Sequence, residues 1–247
     1  MRKYSKAKWL PISRNFTNRK RTRTRGIVLH TDAGNNASLR GWFNNPSARA
    51  SSHFHVAKNG TVEQYVDADL IAWTTGEGNP TTVGVETQGY GTEEWTDAQV
   101  EELAALCRWA ARTYGFPLRR MKSSKPGARG VGTHRLGVNG NFPNTGIQRG
   151  REQRGGGELW SSARGKTCPG DKRQAQFPGI VRLAQRHKIV KSTAGRKGRV
   201  ALYKTPKTGR KNITRTRKVG KNVRIVEFQG RWGKTLKGDW IKLSKVK

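Results

Sequence analysis

One short segment, residues 165–170, most constrains how this chain can fold. It reads Gly-Lys-Thr-Cys-Pro-Gly and places Cys168 two residues after Lys166. A thiolate is a ligand for a soft divalent ion such as zinc, and the neighbouring ammonium group favours an anion. The segment therefore indicates a site for a metal and an anion, provided that the fold brings further ligands to Cys168.

Two histidines upstream of this cysteine are candidates for those ligands. His30 follows the apolar run 26–29, which predicts a buried strand that delivers its next side chain to a sheet edge. His134 follows the glycine-rich segment 130–133, where the backbone can approach a site closely. Either histidine taken alone is more typical of a surface residue or a hydrogen-bonded core residue. Together with Cys168 they make three ligands, which leaves the fourth position of a catalytic zinc open for water.

A hairpin and a further strand are predicted between the two histidines. Residues 52–58 and 61–67 alternate apolar and polar side chains around Asn59-Gly60, a strong hairpin signal. His53 and His55 share one face of the first strand, where we favour packing and hydrogen bonding, because a fourth protein ligand would close the water position. Residues 81–88 predict another strand, which carries Glu86. From the residues alone, Glu86 is most simply a carboxylate of a surface ion pair.

The motifs taken together resemble the zinc N-acetylmuramoyl-L-alanine amidases, which include phage amidase-type lysozymes and share a fold with peptidoglycan recognition proteins. The resemblance covers roughly residues 8–187. It rests on the order of His30 after a strand, the segment 52–56 before Asn59-Gly60, the strand with Glu86, His134, and the segment 166–169. It implies an α/β fold in which helices flank a mixed central sheet.

The resemblance also implies roles for individual residues. Zn²⁺ would be held by His30, His134 and Cys168, with Glu86 as the general base and Lys166 as the donor to the oxyanion. The bond cut would be the amide between N-acetylmuramic acid and L-alanine of peptidoglycan. The expected substrate contacts are Ser52, Trp73 and Thr74. Ser52 stands where compact phage members carry a catalytic tyrosine, and Thr74 stands where many members carry histidine.

Two helices are predicted in the first domain. A capping-box pattern at residues 96–99 begins a helix that Gly115 and Pro117 end. Cys107 falls in its apolar stripe and is predicted to be a small buried residue, so a disulfide with Cys168 is not expected. Residues 174–187 predict a second helix. The intervening segment 136–164 is rich in glycine and arginine, and either holds substrate or is a mobile loop.

The last 60 residues predict a separate small domain. Residues 188–198 form a Lys-, Ser- and Gly-rich linker, and residues 199–247 show short alternating runs separated by turn signals. The run 238–243 resembles the closing strand of bacterial SH3-like wall-binding modules. We therefore expect a catalytic domain at 1–187 and a small all-β SH3-like barrel at 199–247. Residues 188–247 hold 20 Lys and Arg against 2 Asp and Glu, which predicts electrostatic docking.

The formal net charge of +34 implies polyanionic partners but does not choose among them. Nucleic acid, an anionic membrane and the anionic polymers of a bacterial wall all meet that requirement. Trp232 and Trp240 could stack on bases of a non-specifically bound nucleic acid, although such residues are more typical of a barrel core. A receptor of the same fold that binds peptidoglycan without cleaving it is a further alternative. Such receptors typically lose the zinc thiolate, so the presence of Cys168 with Glu86 and Lys166 argues against this alternative.

The N-terminal residues are basic and carry one apolar cluster, 9–12, which predicts a segment packed on the domain. Residues 20–25 are expected to be solvated, and a disordered basic arm is the alternative. No apolar run is long enough to span a bilayer, and the basic N-terminus lacks the apolar core of a signal peptide. We therefore expect a protein that is made in the cytoplasm. The resemblance to phage lytic enzymes implies that this is the host cytoplasm and that the protein reaches the wall through a separate pore, and a monomer is the default expectation.

Overall fold

The computed structural model describes residues 1–137, 157–160, 167–186, 188–191, 199–206, 210–218, 222–229, 232–235 and 239–242. The chain divides into two compact units, Met1–Val181 and Arg182–Lys247. Among the described residues, no helix combines the length and the apolar character needed to cross a membrane.

The first unit is built on a six-stranded sheet. Its strands and those of a small second sheet are β1 (Lys8–Trp9), β2 (Phe16–Lys20), β3 (Gly26–Leu29), β4 (Phe54–Val56), β5 (Val62–Gln64), β6 (Leu70–Ala72), β7 (Thr82–Thr87) and β8 (Gly130–Thr133). The order in the main sheet is β1-β5-β4-β7-β3-β8, while β2 and β6 pair separately. In the main sheet as described, β4 and β5 are antiparallel neighbours and the other pairs are parallel. The expected mixed α/β fold is confirmed.

The centre of this sheet is buried on both faces. All four residues of β3 are buried, as are those of β8. Val83 and Val85 of β7 are fully buried beside them. Such continuous burial is typical of parallel strands that are covered on both faces. The burial explains why the polar side chains that follow these strands lie at the edge of the core.

The α-helices found among the described residues are α1 (Arg40–Phe43), α2 (Asp97–Tyr114) and α3 (Asp171–Arg186). The capping box of α2 forms as predicted, because Thr96 Oγ1 accepts a hydrogen bond from Gln99 N at 3.2 Å and Gln99 Oε1 accepts one from Thr96 N at 3.1 Å. Gly115 ends the helix in the left-handed conformation, with φ of 69°.

The core role predicted for Cys107 is confirmed. Helix α2 packs against β3 and β4, and its apolar stripe is buried there. The Cys107 side chain is completely buried, and this burial raises the pKa of the thiol to about 12. A thiol held neutral in this way is a packing group and not a metal ligand.

The predicted hairpin is also present, with shorter strands than expected. Strands β4 and β5 pair antiparallel with Val56 opposite Val62, and residues 57–61 connect them. The turn is closed by a hydrogen bond from Ala57 N to Thr61 O at 2.9 Å. Gly60 adopts a φ of 83°, a conformation that glycine tolerates without strain.

The N-terminal segment packs on the first unit, as the apolar cluster 9–12 predicts. Ile12 is buried in a cluster with Leu39, Phe43 and Tyr65.

The expectation that residues 20–25 are solvated is wrong for two arginines. Arg21 donates to Leu70 O at 2.8 Å, and Arg25 donates to Lys125 O at 2.6 Å and pairs with Glu158. A guanidinium group can be buried where backbone carbonyls accept its several donors, although burial lowers the pKa of both groups.

The second unit contains another six-stranded sheet. Its strands are β9 (Lys188–Lys191), β10 (Arg199–Tyr203), β11 (Ile213–Lys218), β12 (Asn222–Gln229), β13 (Trp232–Thr235) and β14 (Trp240–Lys242). The described pairs are antiparallel, in the order β11-β10-β14-β13-β12-β9. Leu202, Trp240 and Ile241 are buried, so Trp240 has the core position favoured for it.

The linker prediction needs correction at its first residues. Residues 188–191 form β9, which pairs antiparallel with Asn222 to Ile225 of β12. The backbone groups of these residues take part in the hydrogen-bond ladder of the sheet, so the residues are not part of a free linker. Residues 192–198 of the predicted linker lie outside the described residues. The closed SH3-like barrel expected at 199–247 stays a prediction.

Candidate metal centre

The parallel register of the central strands brings three chemical groups to one level of the sheet. Leu29 of β3 lies opposite Val85 of β7 and opposite Thr133 of β8. The next residues along these strands are His30, Glu86 and His134. Because the carboxyl ends of parallel strands meet at one edge, residues far apart in sequence become neighbours there.

The three predicted ligands meet at this edge. Potential ligand atoms of His30, His134 and Cys168 all lie within 4.8 Å of one another. The imidazole rings of the two histidines are 4.4 Å apart between centroids, at an interplanar angle of 56°. Ligands of one tetrahedral zinc ion lie about 3.3–3.8 Å apart, given bonds of about 2.0–2.3 Å. A convergence of about 1 Å would therefore suffice for these residues to hold one ion.

Neighbouring groups orient the three side chains. His134 Nε2 lies 2.7 Å from the carbonyl oxygen of Trp160, so a proton on Nε2 is donated there and Nδ1 carries the lone pair for a metal. His30 Nε2 lies 3.4 Å from Thr75 Oγ1. The backbone N–H of Thr31 donates to Cys168 Sγ at 3.3 Å, a contact that orients the sulfur. The surroundings of all three side chains fit the needs of metal ligands.

A tight turn presents Cys168 to the histidines. The Cys168-Pro169 peptide bond is cis, and Gly170 follows with φ of 102°. A Cβ atom at Gly170 would lie 2.0 Å from the carbonyl oxygen of Gly91. Only glycine therefore fits between Cys168 and the start of α3 without displacing the backbone.

Glu86 lies beside the ligand cluster. Its Oε1 atom is 3.8 Å from His30 Nδ1, and its side chain is 18% exposed. A carboxylate this close to the ligands, with partial access to solvent, is positioned to take a proton from a water molecule bound in the cleft. The surface ion pair that the residue pattern alone suggests does not describe this environment.

The cluster opens into a cleft of about 480 Å³. Besides Glu86 and the three ligands, its lining includes Phe43, Ser51, Trp73 and Thr74. Trp73 is 37% exposed. Thr74 Oγ1 donates to Ser51 O at 2.8 Å, which fixes the wall of the cleft at this point. Two of the three expected substrate contacts therefore lie where a substrate can reach them.

The third expected contact, Ser52, does not reach the cleft. Its side chain is fully buried, and its hydroxyl group donates to Phe54 O at 2.7 Å. The adjacent residue Ser51 lines the cleft instead. Because successive side chains of an extended segment point to opposite faces, the substrate role expected for Ser52 needs correction.

His53 and His55 serve packing and hydrogen bonding, as the sequence pattern suggests; His55 lies on β4 and His53 directly precedes that strand. His53 Nδ1 accepts a hydrogen bond from Gly84 N at 3.0 Å, and burial followed by the charge of Arg21 lowers the pKa of this imidazole to about 3. His55 Nε2 lies 3.2 Å from Asp32 Oδ2, and both side chains are buried. Neither belongs to the ligand cluster found among the described residues.

Lys166, the expected donor to the oxyanion, lies outside the described residues, as does most of the segment 136–164.

Arg173 is a residue of this site that the sequence does not predict. Its side chain is completely buried beneath the ligands. No sequence signal marks it, because an arginine in the first turns of a helix is ordinarily a surface residue.

The sequence matches the family model described as N-acetylmuramoyl-L-alanine amidase over residues 20–171. N-acetylmuramoyl-L-alanine amidase A of Achromobacter lyticus is 31% identical over 108 residues, which are 42% of this chain and 61% of that protein. The 1,6-anhydro-N-acetylmuramyl-L-alanine amidase AmpD of Escherichia coli (strain K12) is 35% identical over 68 residues, 24% of this chain and 37% of that protein.

The chain thus matches less than two thirds of the length of these relatives. Among solved structures, the N-acetylmuramoyl-L-alanine amidase LysC from Clostridium intestinale URNW has a TM-score of 0.44 at 17% identity, over 70% of this chain and 94% of that chain. The family model covers more than half of the present sequence, including His30, Glu86, His134 and Cys168. The chain therefore belongs to the N-acetylmuramoyl-L-alanine amidase family.

Proposed function

We propose that this protein is a zinc-dependent N-acetylmuramoyl-L-alanine amidase that cleaves the amide bond between N-acetylmuramic acid and L-alanine in peptidoglycan. The observation that carries the proposal is the convergence of His30, His134 and Cys168 beside Glu86 in an open cleft. Membership of the family supports the reaction class.

The donor set favours zinc over other common ions. Two imidazoles and one thiolate suit a borderline-soft divalent ion, whereas calcium and magnesium prefer oxygen ligands. The Trp160 carbonyl and the Thr31 N–H supply the outer hydrogen bonds that metal-binding histidines and thiolates need. Three protein ligands would leave the fourth position of such an ion open.

In the proposed reaction, Glu86 moves the proton. A bound zinc ion would lower the pKa of water from about 15.7 toward about 7 and polarise the scissile carbonyl. Glu86 accepts the proton of the attacking water and then donates it to the nitrogen of the leaving L-alanine. Lys166 donates to the oxyanion, a contact that stabilises such a transition state by about 3–4 kcal/mol when well aligned. Trp73 and Thr74 hold the substrate along one wall of the cleft.

The wider role we propose is that of a phage endolysin, a monomer made in the host cytoplasm that reaches the wall through a separate pore. The second unit would bind anionic wall polymers as an SH3-like module, supported by its 20 Lys and Arg against 2 Asp and Glu in residues 188–247. Non-specific binding to nucleic acid is expected from the same charge.

The test is digestion of purified peptidoglycan with assays for new L-alanine amino termini and, separately, for new reducing sugars. Zinc-loaded protein should release amino termini only, and chelated protein and Cys168→Ser should release none. Cys107→Ala is the matched cysteine control and should remain active, because Cys107 lies in α2 away from the cleft lining. Absence of cleavage in walls of several bacterial types, with zinc bound, would contradict the enzyme proposal and favour a peptidoglycan receptor.

A further inference from the structure

Arg173 forms a buried hydrogen-bonding hub five residues after Cys168. Its side chain is 0% exposed. Nη1 donates to the hydroxyl groups of Thr31 and Thr87, the second at 3.0 Å. Nη2 donates to Gln88 O at 3.1 Å and Nε donates to Glu93 O at 3.3 Å. One side chain therefore ties α3 to the segments that follow β3 and β7.

Each of the two threonines leads directly to a ligand. Thr31 follows His30 in sequence, and its backbone N–H donates to Cys168 Sγ at 3.3 Å. Thr87 Oγ1 donates to the backbone carbonyl of His30 at 2.6 Å. Arg173 is therefore hydrogen-bonded to the two threonines that in turn contact Cys168 and His30.

The electrostatic environment supports the same role. Burial lowers the pKa of the Arg173 guanidinium, while the charges of Glu93, Asp32, Cys168 and Glu86 act in the opposite direction. Glu93 is the direct ion-pair partner, with Oε1 at 3.6 Å from Nη2. Four acidic groups around one guanidinium offset part of the cost of burying it.

We propose that Arg173 is a positioning residue for the metal centre, whose planar fork holds Thr31 and Thr87 so that Cys168 and His30 are arranged for metal before the metal binds. The inference rests on the proposed zinc site. A lysine cannot replace the fork, because one ammonium group does not reach two hydroxyls and two carbonyls in this fixed geometry. Arg173 itself touches neither substrate nor metal in this proposal.

The experiment measures zinc affinity of the full chain by competition with a chromophoric chelator, in the absence of any substrate. Loss of outer contacts to metal ligands typically weakens affinity about 10-fold to 100-fold. We expect a loss in this range for Arg173→Met and Arg173→Lys. Thr31→Val keeps the backbone N–H but removes the hydroxyl partner of Arg173, and should show a smaller loss in the same direction.

Two controls on α3 separate positioning from general damage. Arg182→Lys changes an exposed arginine of the same helix, and Ile180→Val trims a fully buried side chain of that helix. Both should bind zinc as the wild type does. Cobalt substitution gives a second readout, since the thiolate-to-cobalt charge-transfer band reports the arrangement of Cys168, and this band should change in the Arg173 variants but not in the two controls.

Wild-type zinc affinity and an unchanged cobalt spectrum in Arg173→Met would overturn the proposal. Wild-type affinity in Arg173→Lys would also overturn it, because charge alone would then suffice. Should Arg173→Met fail to fold, Arg173→Lys and Thr31→Val carry the test. Because no step involves peptidoglycan, a failure here is distinct from a failure of the proposed amidase activity, which the digestion assay reports.

Discussion

Glu86 and His30 are neighbours in space through a backbone register and not through sequence. Their side chains approach to 3.8 Å because β3 and β7 pair in parallel with Leu29 opposite Val85. The proposed ligand and the proposed base lie on two different strands, so the proposed base can be removed without removing a ligand.

Glu86→Gln should therefore retain zinc and lose turnover. We expect kcat to fall about 10²-fold to 10⁴-fold, the usual contribution of a positioned general base. Zinc content and kcat measured on one preparation check this. Glu94→Gln, which alters an exposed carboxylate in the segment between β7 and α2, is the control and should leave both unchanged. A Glu86→Gln protein with wild-type kcat would remove Glu86 from the mechanism.

His53 makes stability depend on pH. Its pKa in the folded protein is about 3, below the value of about 6.5 in an unfolded chain. The unfolded state therefore binds more protons between these values, so stability falls as the pH falls from about 6.5 toward 3. From pH 7 to pH 5 this histidine should lower the free energy of unfolding by about 2 kcal/mol.

Urea unfolding of wild type and His53→Gln at the two pH values measures this contribution. The variant should be less stable at pH 7, because Gly84 N loses its acceptor. Its free energy of unfolding should nevertheless fall less between pH 7 and pH 5 than that of the wild type. Equal decreases in the two proteins would show that His53 is not buried in its neutral form.

At the scale of elements, the junction between the Cys168 turn and α3 connects the metal site to the scaffold. Gly170 has no room for a side chain, since the backbone of Gly91 packs closely against it. The turn also places Arg173 under the ligands within the first turn of α3. We therefore expect stability and metal binding to be coupled at this junction.

Gly170→Ala should destabilise the protein and weaken zinc binding together. The new Cβ would lie 2.0 Å from Gly91 O, and φ of 102° is unfavourable for alanine. Strain of this kind costs about 1–3 kcal/mol, and the steric contact adds to it. Thermal unfolding and zinc titration measure both effects.

Gly127→Ala is the control for Gly170→Ala. A Cβ atom added at Gly127 would meet nothing within 4 Å, and its φ lies outside the left-handed region. This variant should therefore unfold and bind zinc much as the wild type does. Equal behaviour of the two variants would contradict the role given to Gly170.

For the whole molecule, charge is the property that exceeds the needs of the fold. A net charge of +34 on 247 residues opposes compaction and favours polyanions. Among the described residues of the second unit, Leu202, Trp240 and Ile241 are buried. Because like charges repel one another in a folded unit, we propose that its Lys and Arg serve docking to polyanions.

Binding of the full chain to bacterial walls should be strongly salt-dependent. Exposed charges are screened over about 8 Å at physiological ionic strength and about 3 Å at 1 M. We expect wall binding in a sedimentation assay to fall at least about 10-fold between these two salt conditions. Removal of teichoic acids from the walls should lower binding to a similar extent. Cleavage of soluble peptidoglycan fragments by the same preparation is the control and should change less. Wall binding that is insensitive to salt and to stripping would exclude electrostatic docking.

Residue type and local spacing are enough to predict the candidate ligands, the helix boundaries of α2 and the core role of Cys107. The reason is that ligand chemistry, capping and amphipathic periodicity each depend on only a few neighbouring residues. Three other features depend on contacts between distant segments. They are the burial of Arg21 and Arg25, the orientation of Ser52 away from the cleft, and the Arg173 hub. Local patterns do not encode which carbonyls or hydroxyls a long side chain will meet, and those partners exist only once the strands and α3 have packed.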